Sequence, residues 1–361
     1  DGVNVYGDET SYDMRATNNR VEAGARAGIL AASGGLFNPQ TVLNNLPAGT
    51  PYASYVGFIN ANVPAALRPA VTNQYLPFYY AQRNPSFLPS QNITRTGYNE
   101  LDLVDYGSKS LKMSGGLYYN LTPTVQLTAQ ANWGTGTSVY TGSDRYSLRN
   151  FNVGLYKLEL KGEDFYIRGY TTQERSGDSY ISSILGAYVN EKTKTSNAWL
   201  PEYVGNYIGA RLSNAAVTDA QAHAAARSAA DAGRPLPGSA QFETLASQIK
   251  NTFISQTDLA KGVYGAKFDD KSNLYHYEGM YNFSRAFNNV VEFQVGASAR
   301  RYDLNSGGTI FDDLNREIDI DEYAAFGQLG KKFGESFKVT VAGRYDKSQN
   351  FEGRFTPRVT G

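Results

Sequence analysis

The chain contains no cysteine and only two histidines, two tryptophans and three methionines in 361 residues. Without cysteine there can be no disulfide, no thiolate nucleophile and no thiolate metal site. His223 and His276 are too few for a histidine-built metal centre or a catalytic triad. Charge of one sign is also lacking: 34 Lys and Arg balance 34 Asp and Glu. No global field therefore marks nucleic acid or an anionic surface as a partner. No apolar run reaches the ~18 residues of a membrane-spanning helix, and the mean hydropathy is −0.44. What the chain does have is tyrosine, 27 of them beside 18 phenylalanines. Such amphipathic rings gather where a surface is half apolar and half wet, membrane interfaces included.

A period of two dominates from residue 108 onward. In TVQLTAQANWGTG, Val125, Leu127, Ala129, Ala131 and Trp133 alternate with Gln126, Thr128, Gln130 and Asn132, which predicts a strand with one apolar and one polar face. Similar alternation marks 111–119, 151–161, 165–173, 274–283, 291–300, 323–329, 337–345 and 354–360. The apolar set slips from odd to even positions near Leu155 and Tyr156, which predicts a bulge there. Connectors read as short (120–124), long (134–150), short (162–164), very long (174–273), short (284–289), long (303–321), short (332–336) and moderate (346–353). Short turns at one end and long loops at the other are the habit of an outer-membrane barrel. A soluble meander would need no such alternation.

The expected fold is therefore all-β: part of an antiparallel transmembrane β-barrel with long extracellular loops, one of them holding short helices. Residues 1–107 are expected to supply barrel strand and extracellular loop, and 108–361 the countable strands, with 174–273 as the partly helical loop. Thr218 with Gln221 forms a capping box ahead of an alanine-rich helix that Gly233 stops, and Ser239 caps a second helix carrying Phe242, Leu245 and Ile249. The alternative for 196–250 is an inserted helical domain. His223 is expected to be exposed on its helix.

No catalytic constellation and no cofactor motif is present, and an enzyme is not expected. The acidic stretch with Asp312, Asp313, Asp319, Asp321 and Glu322 lacks calcium-loop spacing and reads as a solvated loop. If the short links are periplasmic, the strand directions place Gln130, Asn132, Asn152, Tyr170, Thr172, His276, Glu278, Arg300, Tyr302, Glu322, Arg344 and Arg354 in the lumen near its external mouth. These are the candidate substrate-binding residues. Trp133, Phe165, Phe283, Phe337 and Tyr345 are the candidate interface anchors.

The phrases DGVNVYGDE, NWGTGTSVYTGSDRYSLRNFNVGLYKLELKGEDFYIRGYTTQERSGDSY and GRYDKSQNFEGRFTPRVTG resemble the barrel region of TonB-dependent outer-membrane receptors. That resemblance implies a 22-stranded, plugged barrel in the cell outer membrane. It implies uptake of an iron chelate, cobalamin or glycan, driven by energy from the TonB complex. The implied partners are that complex, outer-membrane lipid, a small-molecule or oligosaccharide ligand and a surface lipoprotein, with no nucleic acid. No plug, TonB box or aromatic-ended final strand is found, and the text reads as an internal piece of a longer protein. Two alternatives remain open: a passive porin or channel, and a secreted β protein that binds glycans.

Overall fold

The computed structural model describes residues 4–361, so the first three residues of the phrase DGVNVYGDE lie outside it. The chain forms two compact units, Asp1–Leu103 with Gly186–Ala246, and Val104–Leu185 with Ser247–Gly361.

The second unit is a sheet. Its strands are β1 (Lys109–Thr122), β2 (Val125–Thr141), β3 (Arg145–Lys161), β4 (Phe165–Arg175), β5 (Asn273–Asn282), β6 (Glu292–Leu304), β7 (Ile318–Phe333), β8 (Phe337–Ser348) and β9 (Phe351–Thr360). Each pairs antiparallel with the next in sequence, and a two-residue strand, Tyr180–Ile181, adds to β3. The sheet is open among the described residues: β1 and β9 are its edges. Because the side-chain period is two, an unbroken register carries one face across every strand. Leu127, Leu160, Ile167, Gly279, Ala297, Ala325, Tyr345 and Phe355 stand in one such row. Aromatic rings fold over glycines on this face, Phe355 over Gly343 and Tyr345 over Gly353, where a side chain on the glycine would collide with the ring.

Several boundaries differ from the expected ones. The 134–150 connector shrinks to a turn at 142–144, because β2 and β3 continue as a hairpin past Trp133. In GTGTSVYTG glycine, threonine and serine fill every position but Val139 and Tyr140, which are adjacent and so fall on opposite faces, and no hydrophobic period announces the strand. The register shift lies between Gly136 and Ser138, opposite 148–151, and the pairing past Leu155 and Tyr156 is regular. The 346–353 connector is only a turn at 349–350. The long connectors are 176–272 and 305–317, both at the end of the sheet opposite the 123–124, 162–164 and 334–336 turns.

In the 305–317 connector Asp313 acts as an internal clamp. Ser306 donates to it through its backbone N–H (2.5 Å) and Oγ (2.7 Å), Gly307 N–H at 3.0 Å and Gly308 N–H at 2.7 Å. Burial works to raise the Asp313 pKa, but these donors overcome it and hold the carboxyl at about 2.

The first unit is helical, which corrects the expectation of strand and loop over 1–107. The chain first forms α1 (Met14–Ala32), α2 (Tyr52–Asn62) and α3 (Leu76–Arg83), and later α4 (Ser196–Ser213) and α5 (Asp219–Ala230). Its β content is two short pairs, Val5–Tyr6 with Tyr98–Asn99 and Ser11–Asp13 with Asn92–Thr94. The helices between 196 and 230 are thus not a free loop decoration. They share one core with the N-terminal segment, in which Trp199, Tyr203, Val204 and Tyr207 meet Met14, Leu88 and Ile93. Ala222, Ala226 and Ala230 recur every four residues and are fully buried, so their small side chains let α5 lie close on α4. The capping box at Thr218 and Gln221 forms as expected, and Gly233 takes a φ of 79° just past the helix. His223 is half-buried rather than exposed: its Nδ1 lies 2.8 Å from Tyr203 Oη, and its ring packs on Tyr207 at 4.7 Å.

Two tests follow from this packing. Trp199 is 1% exposed and donates through Nε1 to Asp231 at 2.9 Å; Trp199→Ala should cost about 3–5 kcal/mol, read as earlier loss of the helical circular-dichroism signal on heating. The clamp at Asp313 is a depressed carboxyl, so its contribution is present above about pH 4 and fades as pH falls toward 2. At neutral pH, Asp313→Ala should speed amide hydrogen exchange at Gly307 and Gly308 at least tenfold while leaving the paired core of β6 and β7 protected.

Candidate functional site

The two faces of the sheet differ in chemistry. The face of Val125 and Leu127 exposes Leu117, Leu158, Ile167, Leu329, Val341 and Phe355, a surface no soluble protein leaves so bare. Aromatic residues bound it on both sides. Toward the long connectors lie Trp133 on β2, Tyr156 on β3, Tyr277 on β5, Tyr323 on β7 and Tyr345 on β8; toward the short turns lie Phe165, Phe283, Phe293, Phe333 and Phe337. All five expected anchor residues stand on this face, Trp133 and Tyr345 in one rim and Phe165, Phe283 and Phe337 in the other.

The rims slope. The row through Trp133 reaches Asp319 on β7, whereas Tyr345 on β8 pairs with Ala325 of β7, so the rim descends six residues along β7 over the six steps from β2 to β8. One residue of ~3.3 Å per strand spacing of ~4.8 Å corresponds to strands tilted by about 35° from the normal to the rim. That is the tilt a barrel wall requires. Along β7 the ten residue steps from Tyr323 to Phe333 span ~33 Å of strand, or ~27 Å of height at that tilt, close to the ~25 Å apolar band of outer-membrane barrels.

The opposite face is polar and crowded. Gln130, Lys157, Tyr170, His276, Arg300 and Glu322 form one row across six strands, from β2 to β7. The next row toward the short turns holds Thr128, Glu159, Arg168, Glu278, Ser298, Asp346 and Arg354. Charges alternate and interlock: Lys157 Nζ lies 3.7 Å and Arg168 Nη1 3.5 Å from Glu159 Oε2, and Arg168 also pairs with Glu278. His276 is 3% exposed. It stacks on Tyr170 at 4.7 Å, accepts from Arg300 Nε at Nδ1 (3.1 Å) and sets Nε2 3.3 Å from Glu278 Oε2. Arg300 reaches Glu322 at 3.5 Å, and Arg344 pairs with Asp346 at 2.9 Å. Beside them Ser298, Arg300, Glu322, Arg344, Asp346 and Arg354 line a cavity of about 300 Å³.

Of the expected binding residues, Gln130, Tyr170, His276, Arg300 and Glu322 share the first row. Glu278 and Arg354 lie in the second, and Arg344 lies two residues beyond it toward the short turns. Asn132, Thr172 and Tyr302 form a row nearer the long connectors. Asn152 is not among them, because it pairs with Thr135 and belongs to the apolar side, beyond the aromatic rim. The absence of a bulge at 155–156 is the reason. Lys157 and Glu159, which the alternation leaves on the polar face without marking them as candidates, stand in the same two rows. The group stands at the level of the outer aromatic rim, with His276 beside Tyr277 and Glu322 beside Tyr323, and β2 and β3 continue beyond it. In the acidic stretch the five named carboxylates are engaged: Asp312 with Arg316, Asp319 and Asp321 with Arg301, Glu322 with Arg300, and Asp313 in its loop.

No protein-family model matches the chain and no curated protein matches it. Solved structures that align with it include OccK5 (OpdH) of Pseudomonas aeruginosa, at 7% identity and a TM-score of 0.24, over 69% of this chain and 56% of that one. OccAB4 of Acinetobacter baumannii aligns at 9% identity and a TM-score of 0.24, over 75% of this chain and 54% of that one. The chain thus spans about half of each, and superpositions this loose carry no argument of their own. Both are substrate-specific outer-membrane porins of the OprD family and not TonB-dependent receptors. The receptor expectation, and TonB-driven uptake with it, is corrected accordingly. The outer membrane, the location expected for this chain, is where both neighbours reside.

The absence of native cysteine makes the face assignment directly testable. In proteoliposomes, single cysteines at Ser298 and Thr172 should react with a charged maleimide, and single cysteines at Ala297 and Ala325 should not; labelling that ignores the parity would refute the two-faced sheet.

Proposed function

We propose that the sheet is a stretch of wall in a passive outer-membrane channel, with its apolar face on lipid and its polar face lining a water-filled path for a small polar solute. The observation that carries this is the sloping pair of aromatic rims around a bilayer-high apolar band, directly behind a ladder of paired charges. Sandwich faces are buried against protein and have no use for such rims. The ladder keeps water in the path and orients dipoles toward the solute, and passage needs no covalent chemistry. The protein in this reading is not an enzyme and needs no cofactor. The residues that meet the solute are those of the polar rows, His276, Glu278, Arg300, Glu322, Arg344 and Arg354 foremost, with Lys157, Glu159 and Arg168 beside them.

The wall is finished by further strands. Unpaired backbone groups in hydrocarbon cost several kcal/mol each, and β1 and β9 both run from the long-connector end to the short-turn end. An all-antiparallel closure therefore takes an odd number of strands between them, which gives the even total usual in bacterial barrels. Transfer down a gradient is the test. Proteoliposomes holding the purified protein should swell in a monosaccharide solution with no ion gradient present, and a protonophore should leave the rate unchanged. Absence of swelling, or uptake that needs an imposed proton gradient, would refute a passive channel.

A further inference from the structure

We propose that the helical unit carries a binding site for a small organic oxyanion, built around Arg227. The segment from Gln91 to Thr94 lines a cavity of about 410 Å³ together with Tyr203 of α4 and His223, Ala224 and Arg227 of α5. A volume of that order falls within the ~300–1,000 Å³ of small-molecule sites and suits a solute of monosaccharide size. The lining holds one full charge, the guanidinium, and no carboxylate. Beside that cation stand groups that can hydrogen-bond the body of a ligand: the amides of Gln91 and Asn92 and the hydroxyls of Thr94 and Tyr203. Ile93 and Ala224 add a short apolar wall.

The fold does not use up Arg227. A guanidinium carries five N–H donors in a planar fork. Nη1 donates to Thr94 O and to Thr96 Oγ1, each at 3.0 Å, and one further N–H meets the Tyr203 hydroxyl. At least two donors are left with no acceptor among the described residues. The cation lies over the Trp199 and Tyr203 rings at 5.8 and 5.4 Å, so the fork is held in place before a ligand arrives, which lowers the entropy cost of binding. The acids close by are engaged. Asp231 accepts from Trp199 Nε1 and Thr96 Oγ1, and Asp219 accepts from Tyr207 Oη, with Arg211 and His223 at 3.7 and 3.5 Å. A carboxylate or phosphate ester matches a guanidinium fork with two parallel N–H···O bonds, whereas a neutral solute would leave its charge unmatched. Every group named belongs to the helical unit, so the site stands apart from the channel reading.

The reporter is built in. Trp199 is one of only two tryptophans, so in a Trp133→Phe background its fluorescence reads the surroundings of Arg227 in the detergent-solubilised full chain. Titration with glucose 6-phosphate or gluconate should change the emission saturably at millimolar concentration or below. Neutral glucose, which shares their carbon skeleton, should bind about tenfold more weakly or worse, the loss of one charge-assisted contact. The two anions separate phosphate from carboxylate, and saturable binding of either supports the site. Arg227→Gln should abolish the response, although it also cuts a tie to Thr94. Ala224→Glu keeps that tie and sets a carboxylate three residues from Arg227 on the same helix face, where it occupies the fork. This variant should bind both anions about tenfold more weakly or worse with its helical circular-dichroism signal retained. No saturable change with either anion, equal binding of glucose, or undiminished binding in Ala224→Glu overturns the site. Each of these results leaves the channel reading intact, because none measures conductance.

Discussion

Everything in the sheet unit depends on the antiparallel register of nine strands, interrupted only between Asn120 and Thr122, Gly136 and Ser138, and Asp346 and Ser348. The hydrogen-bond ladder fixes which residues stand side by side, and the two-residue period of the strand then sorts them by face. A slip of one residue in any strand would put Arg168 or Glu278 into the apolar band and Ile167 or Tyr277 into the charged rows. The register holds because both faces penalise slippage at once: one loses apolar surface to water, and the other buries unpaired charge. Where neither penalty acts, in the small and polar stretch past Trp133, the ladder does shift, between Gly136 and Ser138.

The polar face shows how charges are kept on a wall at tolerable cost. Removing one member of a half-buried pair leaves its partner poorly solvated, so such groups persist in networks in which a carboxylate can meet more than one partner. Glu159 serves Lys157 and Arg168, and Glu278 serves Arg168 and His276. A network of this kind transmits change. When one member is removed, its neighbours must choose between alternative partners.

The helical unit rests on a different interaction, the packing of large aromatic rings against small side chains. Tyr203, Tyr207 and Trp199 fill the space that Ala222, Ala226 and Ala230 leave open, and Arg227 lies over the Trp199 and Tyr203 rings at 5.8 and 5.4 Å. Little of this was legible in the sequence of 1–107. Stretches such as QYLPFYYAQRNPSFLP combine proline, asparagine and rings without a clear 3.6-residue period. Tyr75, Leu76 and Tyr79 pack on Ile29, Leu43 and Tyr55, and Ala81 and Leu88 join the core of α4 and α5 more than a hundred residues away, partners that local pattern cannot reveal. The alanine-rich helix was legible because its capping box and terminal glycine are local devices.

By itself the sequence determined the period of the sheet, the faces of most strands, the face on which the rim aromatics stand and most members of the charged rows, because alternation is a local property that survives any tertiary arrangement. It misplaced Asn152, overlooked Lys157 and Glu159, and mistook a hairpin for a loop, because face assignment in a strand of mixed polarity depends on its neighbours' register rather than on its own pattern. Only the tertiary structure decided that the rims slope together and that the two distant segments share one helical core. It alone also set the Arg300 guanidinium on the Nδ1 lone pair of His276. Each of these is a relation between residues far apart in the chain, fixed by hydrogen-bond register and packing.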